Sequence, residues 1–156
     1  MIVIHLPDEA ATAALAARIA ALAEPGDVIA LRGELGAGKT TFTRAFLHAR
    51  GHRGDVPSPT FTLLQQYEIV GATVWHFDGY RLRDPEEAWE LGIEDAFHDG
   101  ISLIEWPERF GALLPAPHRL DIGLSAGATP TARRATIDPG TGDWAARLER
   151  LPALCP

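Results

Sequence analysis

Asp27-Val28-Ile29-Ala30-Leu31-Arg32-Gly33-Glu34-Leu35-Gly36-Ala37-Gly38-Lys39-Thr40-Thr41-Phe42 is the stretch that decides the fold. Residues 27–32 form a short apolar run that reads as a strand. The run enters directly an octapeptide of the form G-x-x-x-x-G-K-[ST], residues 33–40. From Lys39 the pattern is helical through Arg50, with Gly51 as the stop. Strand, glycine loop and helix in that order are the setting in which this octapeptide is a phosphate-binding P-loop.

Such a loop surrounds the β- and γ-phosphates with backbone N–H groups and a helix N-terminus. Gly33, Gly36 and Gly38, with Ala37 between the last two, form its wall. Lys39 is predicted to reach the β- and γ-oxygens, the Thr40 hydroxyl to ligate Mg²⁺, and Thr41 to donate to the α-phosphate. Lys39 is also the only lysine among 14 lysines and arginines. A compact ammonium on a flexible stem fits a tight loop around phosphate better than a broad guanidinium fork. A glycine turn before a helix is the plain alternative, and the solitary lysine argues against it.

The rest of the chain surrounds this unit with α/β elements. Residues 2–6 read as a strand, residues 8–23 as a helix stopped by Pro25-Gly26. Residues 61–69 alternate, with Phe61, Leu63, Tyr67 and Ile69 on one face, and Gly71-Ala72 offers a two-residue hairpin turn into a strand at residues 73–77. Asp84-Pro85-Glu86-Glu87 starts a helix that carries Trp89 and Leu91 and stops at Gly92. Residues 101–104 are a nearly all-apolar strand, buried on both faces. Strands at residues 120–124 and 135–137 and a helix at residues 143–151 complete the order; residues 126–132 are the loosest stretch. The expected fold is a P-loop NTPase-like mixed sheet with a parallel core, a β-hairpin and flanking helices, in one domain over residues 1–156.

Composition bounds the function. Apolar residues are 46% and charged residues 22%, as in an ordinary globular protein. The lone Cys155 excludes an internal disulfide and a cysteine-based zinc cluster. No apolar run approaches the roughly 20 residues that span a bilayer, and residues 1–6 lack the basic flank and cleavage site of a signal peptide. A cytoplasmic protein is expected, with no membrane partner. The net charge of −7 is the opposite of a free-standing nucleic-acid binder's, so any RNA is expected to be held by a partner. Arg44, His48, Arg50, His52 and Arg53 cluster locally and read as a solvated helix end.

A P-loop needs an acid at a neighbouring strand end to hold Mg²⁺ or its water shell. Glu105 ends Ile101-Ser102-Leu103-Ile104, and Asp78 ends Val74-Trp75-His76-Phe77; either can hold metal while the other positions water. Ser58-Pro59-Thr60 lies where a switch on the γ-phosphate is expected, or is an ordinary turn. Arg81 and Arg83 either meet transferring phosphate or pair with Glu86 and Glu87. Trp106 is a core aromatic or a stacking surface, and the six histidines read as structural or surface groups. Without a second lysine there is no Asn-Lys-x-Asp guanine reader, so adenine is the expected base. A small-molecule kinase and a non-hydrolysing nucleotide sensor are the alternatives to an ATPase.

The P-loop through Phe42, Ser58-Pro59-Thr60-Phe61-Thr62-Leu63, His76-Phe77-Asp78-Gly79-Tyr80-Arg81-Leu82, Leu91-Gly92-Ile93 and Ile104-Glu105-Trp106-Pro107-Glu108, in unbroken order, resemble the TsaE (formerly YjeE) family. The resemblance implies an ATPase of bacterial tRNA threonylcarbamoyladenosine modification. It implies docking on a TsaB–TsaD complex that hydrolysis resets between turnovers, and contact with tRNA only through that complex. It also implies that Lys39 and Thr41 bind phosphate, that Thr40 and Glu105 sit at Mg²⁺ with Asp78 in the same cluster, and that Thr12 and Trp106 lie near the nucleotide. Gly79 departs from the family pattern, where a larger apolar residue is commoner, and is expected to loosen the Asp78 strand end. Arg133 and Arg134 have no assigned role.

Overall fold

The computed structural model describes residues 1–34, 36–57, 62–115 and 117–151. The elements are β1 (Ile2–Leu6), α1 (Glu9–Leu22), β2 (Val28–Arg32), α2 (Lys39–Ala49), β3 (Leu64–Ile69), β4 (Ala72–Asp78), α3 (Pro85–Glu90), α4 (Ile93–Asp99), β5 (Ile101–Glu105), β6 (Arg119–Ala126), β7 (Arg133–Asp138) and α5 (Trp144–Leu148). Two 3₁₀ turns, Pro107–Arg109 and Gly111–Leu113, follow β5.

The strands form one seven-stranded sheet in the order β1-β7-β6-β2-β5-β4-β3. β6, β2, β5 and β4 run parallel, whereas β3, β7 and β1 pair antiparallel with their neighbours. This is the mixed α/β sheet with a parallel core that the sequence predicts. The P-loop strand β2 lies between β5 and β6, and every residue of β5 is buried, as expected of a strand covered on both faces.

Helices cover both faces because successive strand side chains point opposite ways. On one face Ile29, Leu31, Val74, Leu103, Ile122 and Ile137 pack with Ile19, Phe42, Phe46 and Trp144 of α1, α2 and α5. On the other, Val28, Phe77 and Ile104 pack with Ala88, Ile93 and Phe110. Burying a side chain such as Phe42 or Phe46, both fully covered, contributes about 1.5–3 kcal/mol.

Several local expectations are corrected. The hairpin turn is Val70-Gly71, since Ile69 pairs with Ala72, and glycine takes the second turn position with φ 84°. β3 starts at Leu64, because Leu63 bends away at φ 65°; Phe61 lies outside the described residues. The helix from Pro85 starts at Asp84 as the sequence predicts, and the structure adds a capping box between Asp84 and Glu87; a second helix, α4, follows Gly92 where the sequence reading has none. Arg50 is not a solvated helix end: its guanidinium donates to Ala20 O (2.7 Å), Ala23 O (2.8 Å) and Val70 O (3.2 Å). It thereby adds a donor to carbonyls at and just past the C-terminus of α1. Among the described residues no helix is long and apolar enough to cross a membrane.

Candidate functional site

The ends of parallel strands β4 and β5, the loop after β2, and residues of α1, α2 and β7 converge on a cavity of about 240 Å³ at the carboxyl edge of the sheet. Its lining includes Gly36, Gly38, Lys39, Thr40 and Thr41 of the loop and α2, Asp78 at the end of β4, Glu105 at the end of β5, and Trp106, Tyr80, Glu9 and Arg133. Carboxyl strand ends are where open α/β sheets place their ligands.

The loop is shaped by close approach. Gly33 has φ 153°, and a Cβ there would lie 2.7 Å from Leu124 O on β6, so a side chain would drive the loop off the sheet. Lys39 is buried, donates from Nζ to Gly33 O at 2.7 Å and lies 4.1 Å from the centroid of the Trp106 ring. Burial lowers its pKa from the ordinary 10.5, opposed by the charges of Glu105, Asp78, Glu108 and Glu34. Trp106, at φ 54°, is neither core nor free surface: it is half-buried, with its ring tilted against Tyr80 at 5.2 Å.

The two acids meet because Asp78 and Glu105 are register partners across β4 and β5. Both are buried, and Asp78 Oδ1 accepts from the Tyr80 N–H at 2.8 Å. Gly79 tightens this junction rather than loosening it. Its N–H donates to Glu105 O at 2.9 Å, and a Cβ would lie 2.7 Å from both Phe110 Cε2 and Trp106 O. A larger residue has no room there.

Two residues emerge that sequence reasoning did not place in the site. His76, two residues before Asp78 and so on the same face of β4, is buried, and its Nε2 lies 2.5 Å from Glu105 Oε2. The His-x-Asp alternation in a strand was the available signal. Arg133 donates from Nε to Ala37 O (2.8 Å) and from Nη2 to Gly36 O (3.0 Å), while Nη1 holds Pro130 O and Ala132 O. It ties the P-loop to the turn between β6 and β7. Nothing local in the sequence marks a contact 96 or 97 residues away.

Other predicted residues fall elsewhere. Thr12 is buried in α1 with Oγ1 turned to Asp8 O (3.5 Å), and Glu9 is the α1 residue that lines the cavity. Ser58 and Thr60 lie outside the described residues. Glu87 accepts from the backbone N–H groups of Arg83 and Asp84. A second, more open cavity of about 590 Å³ lies across the loop between Trp106, Glu108, Leu124 and Arg133.

The donor set suits a hard cation: one hydroxyl, Thr40, and two carboxylates, Asp78 and Glu105, all on the cavity wall. Lys39 lines the same cavity, so a cation suited to phosphate and carboxylates suited to a metal share one site.

Known proteins resemble this chain in sequence and fold. The family model described as threonylcarbamoyl adenosine biosynthesis protein TsaE matches residues 6–135. The tRNA threonylcarbamoyladenosine biosynthesis protein TsaE of Haemophilus influenzae is 52% identical over 93 residues, 59% of this chain and 59% of that protein. The protein of the same description from Bacillus subtilis is 44% identical over 117 residues, 74% of this chain and 71% of its own length. The crystal structure of Bacillus subtilis YdiB superposes with a TM-score of 0.80 at 32% identity, covering 96% of this chain and 92% of that one.

Proposed function

The chain belongs to the TsaE family of threonylcarbamoyl adenosine biosynthesis proteins, and from that premise we propose that it binds ATP with Mg²⁺ at the P-loop cavity and hydrolyses it slowly. On this reading it docks on a TsaB–TsaD complex, and hydrolysis resets that complex between turnovers. tRNA is met only through the partners, in keeping with the net charge of −7.

The observation that carries the reading is the pairing of Asp78 with Glu105 on the cavity wall that also holds Lys39. A mere nucleotide sensor needs the loop and its lysine; two buried acids at the same edge are what hydrolysis adds. Thr40 and one of the two carboxylates, Glu105 or Asp78, would hold Mg²⁺, which would supply charge neutralisation of the phosphate oxygens when bound. Lys39 and the loop N–H groups orient the phosphates. The carboxylate not engaged with metal accepts a proton from water aligned on the terminal phosphate. Trp106 and Tyr80 form the apolar wall beside the reacting end. One domain is sufficient for this chemistry.

The test is ATP hydrolysis by the purified chain with Mg²⁺, alone and with TsaB and TsaD added. Stimulation by the pair, lost in Lys39→Ala, supports the reading. Turnover indifferent to both proteins removes the coupling and directs the search to small phosphate acceptors.

A further inference from the structure

We infer that His76 is a positioning residue for Glu105, its Nε2–H holding carboxylate oxygen Oε2 so that Oε1 is the oxygen presented to the nucleotide cavity. The inference rests on the reading of Glu105 as an acid of a nucleotide-hydrolysing site and adds the group that aims it.

His76 is 2% exposed, and its Nε2 lies 2.5 Å from Glu105 Oε2. Among the described residues, the other ring nitrogen, Nδ1, is buried without a hydrogen-bond partner. A proton on Nδ1 would be a buried donor with no acceptor among the described residues, whereas on Nε2 it meets a carboxylate oxygen; the Nε2–H tautomer is the one that leaves no donor unpaired. The sheet brings the pair together. His76 is the register partner of Leu103, and Asp78 of Glu105, so His76 and Glu105 lie on one face, diagonal across two parallel strands.

Glutamate needs such a holder more than aspartate does. Its carboxylate ends a longer side chain whose last torsion is broad. Asp78 is already tied at Oδ1 by the Tyr80 N–H, within its own turn. The carboxylate of Glu105 finds its donor across the sheet, in a side chain buried for no packing reason that an apolar residue would not serve better. Hydrogen-bonded partners behind metal-facing ligands commonly set both their orientation and their basicity.

The full-length chain with His76→Phe, which keeps volume without the donor, and His76→Gln, which keeps a terminal N–H, provides the test, each in native and Glu105→Ala backgrounds. Long-range ¹H–¹⁵N spectra read the tautomer, and ATP affinity is measured against Mg²⁺ concentration. Expected are an Nε2–H His76 whose signal changes in Glu105→Ala, and a Phe variant that binds ATP normally without metal. That variant should need about 10–100-fold more Mg²⁺ and lose about that factor in kcat with little change in KM. The Gln variant should recover part of both, and the Phe effect on the Mg²⁺ requirement should vanish in the Glu105→Ala background.

An Nδ1–H tautomer, an equal Phe effect in both backgrounds, or a Gln variant no better than Phe would overturn the inference. If the wild-type chain hydrolyses no ATP even with its partners, the ATPase reading fails, while the tautomer and the Mg²⁺ dependence of binding still decide the His76–Glu105 link. Should the Phe variant unfold, the Gln variant and the spectra decide it.

Discussion

Asp78 and Glu105 are Cα partners at the last paired position of two parallel strands, and both side chains are buried at the edge where the P-loop begins its helix. Register alone sets their proximity, because a slip of one residue would turn one carboxylate to the opposite face. Glu105→Ala is therefore expected to retain ATP binding and lose turnover by about 10²-fold or more, the scale of an aligned acid–base group. Single-turnover hydrolysis beside equilibrium nucleotide binding measures the two separately. Normal hydrolysis in that variant would remove Glu105 from the catalytic set.

Lys39 predicts a pH dependence of a definite sign. Burial holds its pKa below 10.5 in the free protein, and bound polyphosphate, being anionic, raises it again. ATP affinity should be flat below the lowered free-state value and fall as pH rises through it, with protons taken up on binding in that interval. Calorimetry in two buffers of different ionisation enthalpy reads that uptake. Lys39→Ala should bind no ATP detectably and show no uptake.

Gly79 has no space for a methyl group. In Gly79→Ala the new Cβ meets the Trp106 carbonyl and the Phe110 ring, separating the strand end of Asp78 from Glu105. Overpacking of this kind costs about 1–3 kcal/mol. Thermal unfolding should shift by about 2–4 °C for each of those kilocalories at this chain length. Turnover should fall more than stability accounts for; an unchanged kcat would show that the contact relaxes harmlessly.

Arg133 holds the carbonyls of Gly36 and Ala37 on one side of the loop. The peptide is planar and trans, so the N–H of the unit whose oxygen is Ala37 O, that of Gly38, points away from the guanidinium. Arg133→Met should weaken ATP binding by about 10-fold, one or two charge-assisted hydrogen bonds' worth, with a smaller loss of stability. Arg133→Lys should not restore it, since one ammonium cannot span both carbonyls and the β6–β7 turn.

Arg147 is a structural counterpart far from the cavity. It pairs with buried Asp27 through both terminal nitrogens, 3.0 Å from Nη2 to Oδ1, and also holds Asp143 and Leu22 O. Removing one partner leaves a buried charge, so Arg147→Met should cost about 3–5 kcal/mol in a denaturant titration. Burial works to raise the Asp143 pKa, but hydrogen bonding to Arg147 and its charge outweigh this and hold it below 3.8. The stabilisation it contributes is present above that value and is lost as pH falls through the lower folded value. Asp143→Asn should flatten that acid limb.

Legibility followed sequence distance. Strand β2, the loop and α2 were readable because apolar run, glycines and helical spacing are contiguous, and β5 because a strand covered on both faces is continuously apolar. Asp78 and Glu105 were named individually, but their register was not, since it depends on a parallel pairing 27 residues apart that no local rule fixes. The sequence reads His76 only as a structural or surface group, because a histidine's partner decides its role and that partner lies on another strand. Gly79 was misread from a family pattern, when the space around it is set by Phe110 and Trp106. The turn at Val70-Gly71 was displaced by one residue because glycine suits either central position of a two-residue turn.

The position of β2 in the sheet has a consequence for biosynthesis. Its two neighbours, β5 and β6, are separated from it by some seventy to ninety residues of chain, and the arginine that braces the loop comes later still. The P-loop leaves the ribosome before Asp78, Glu105 and Arg133, which complete the cavity wall. Nonlocal parallel pairing is slow to form. Nucleotide binding is therefore expected to favour a chain in which these nonlocal strands have already paired.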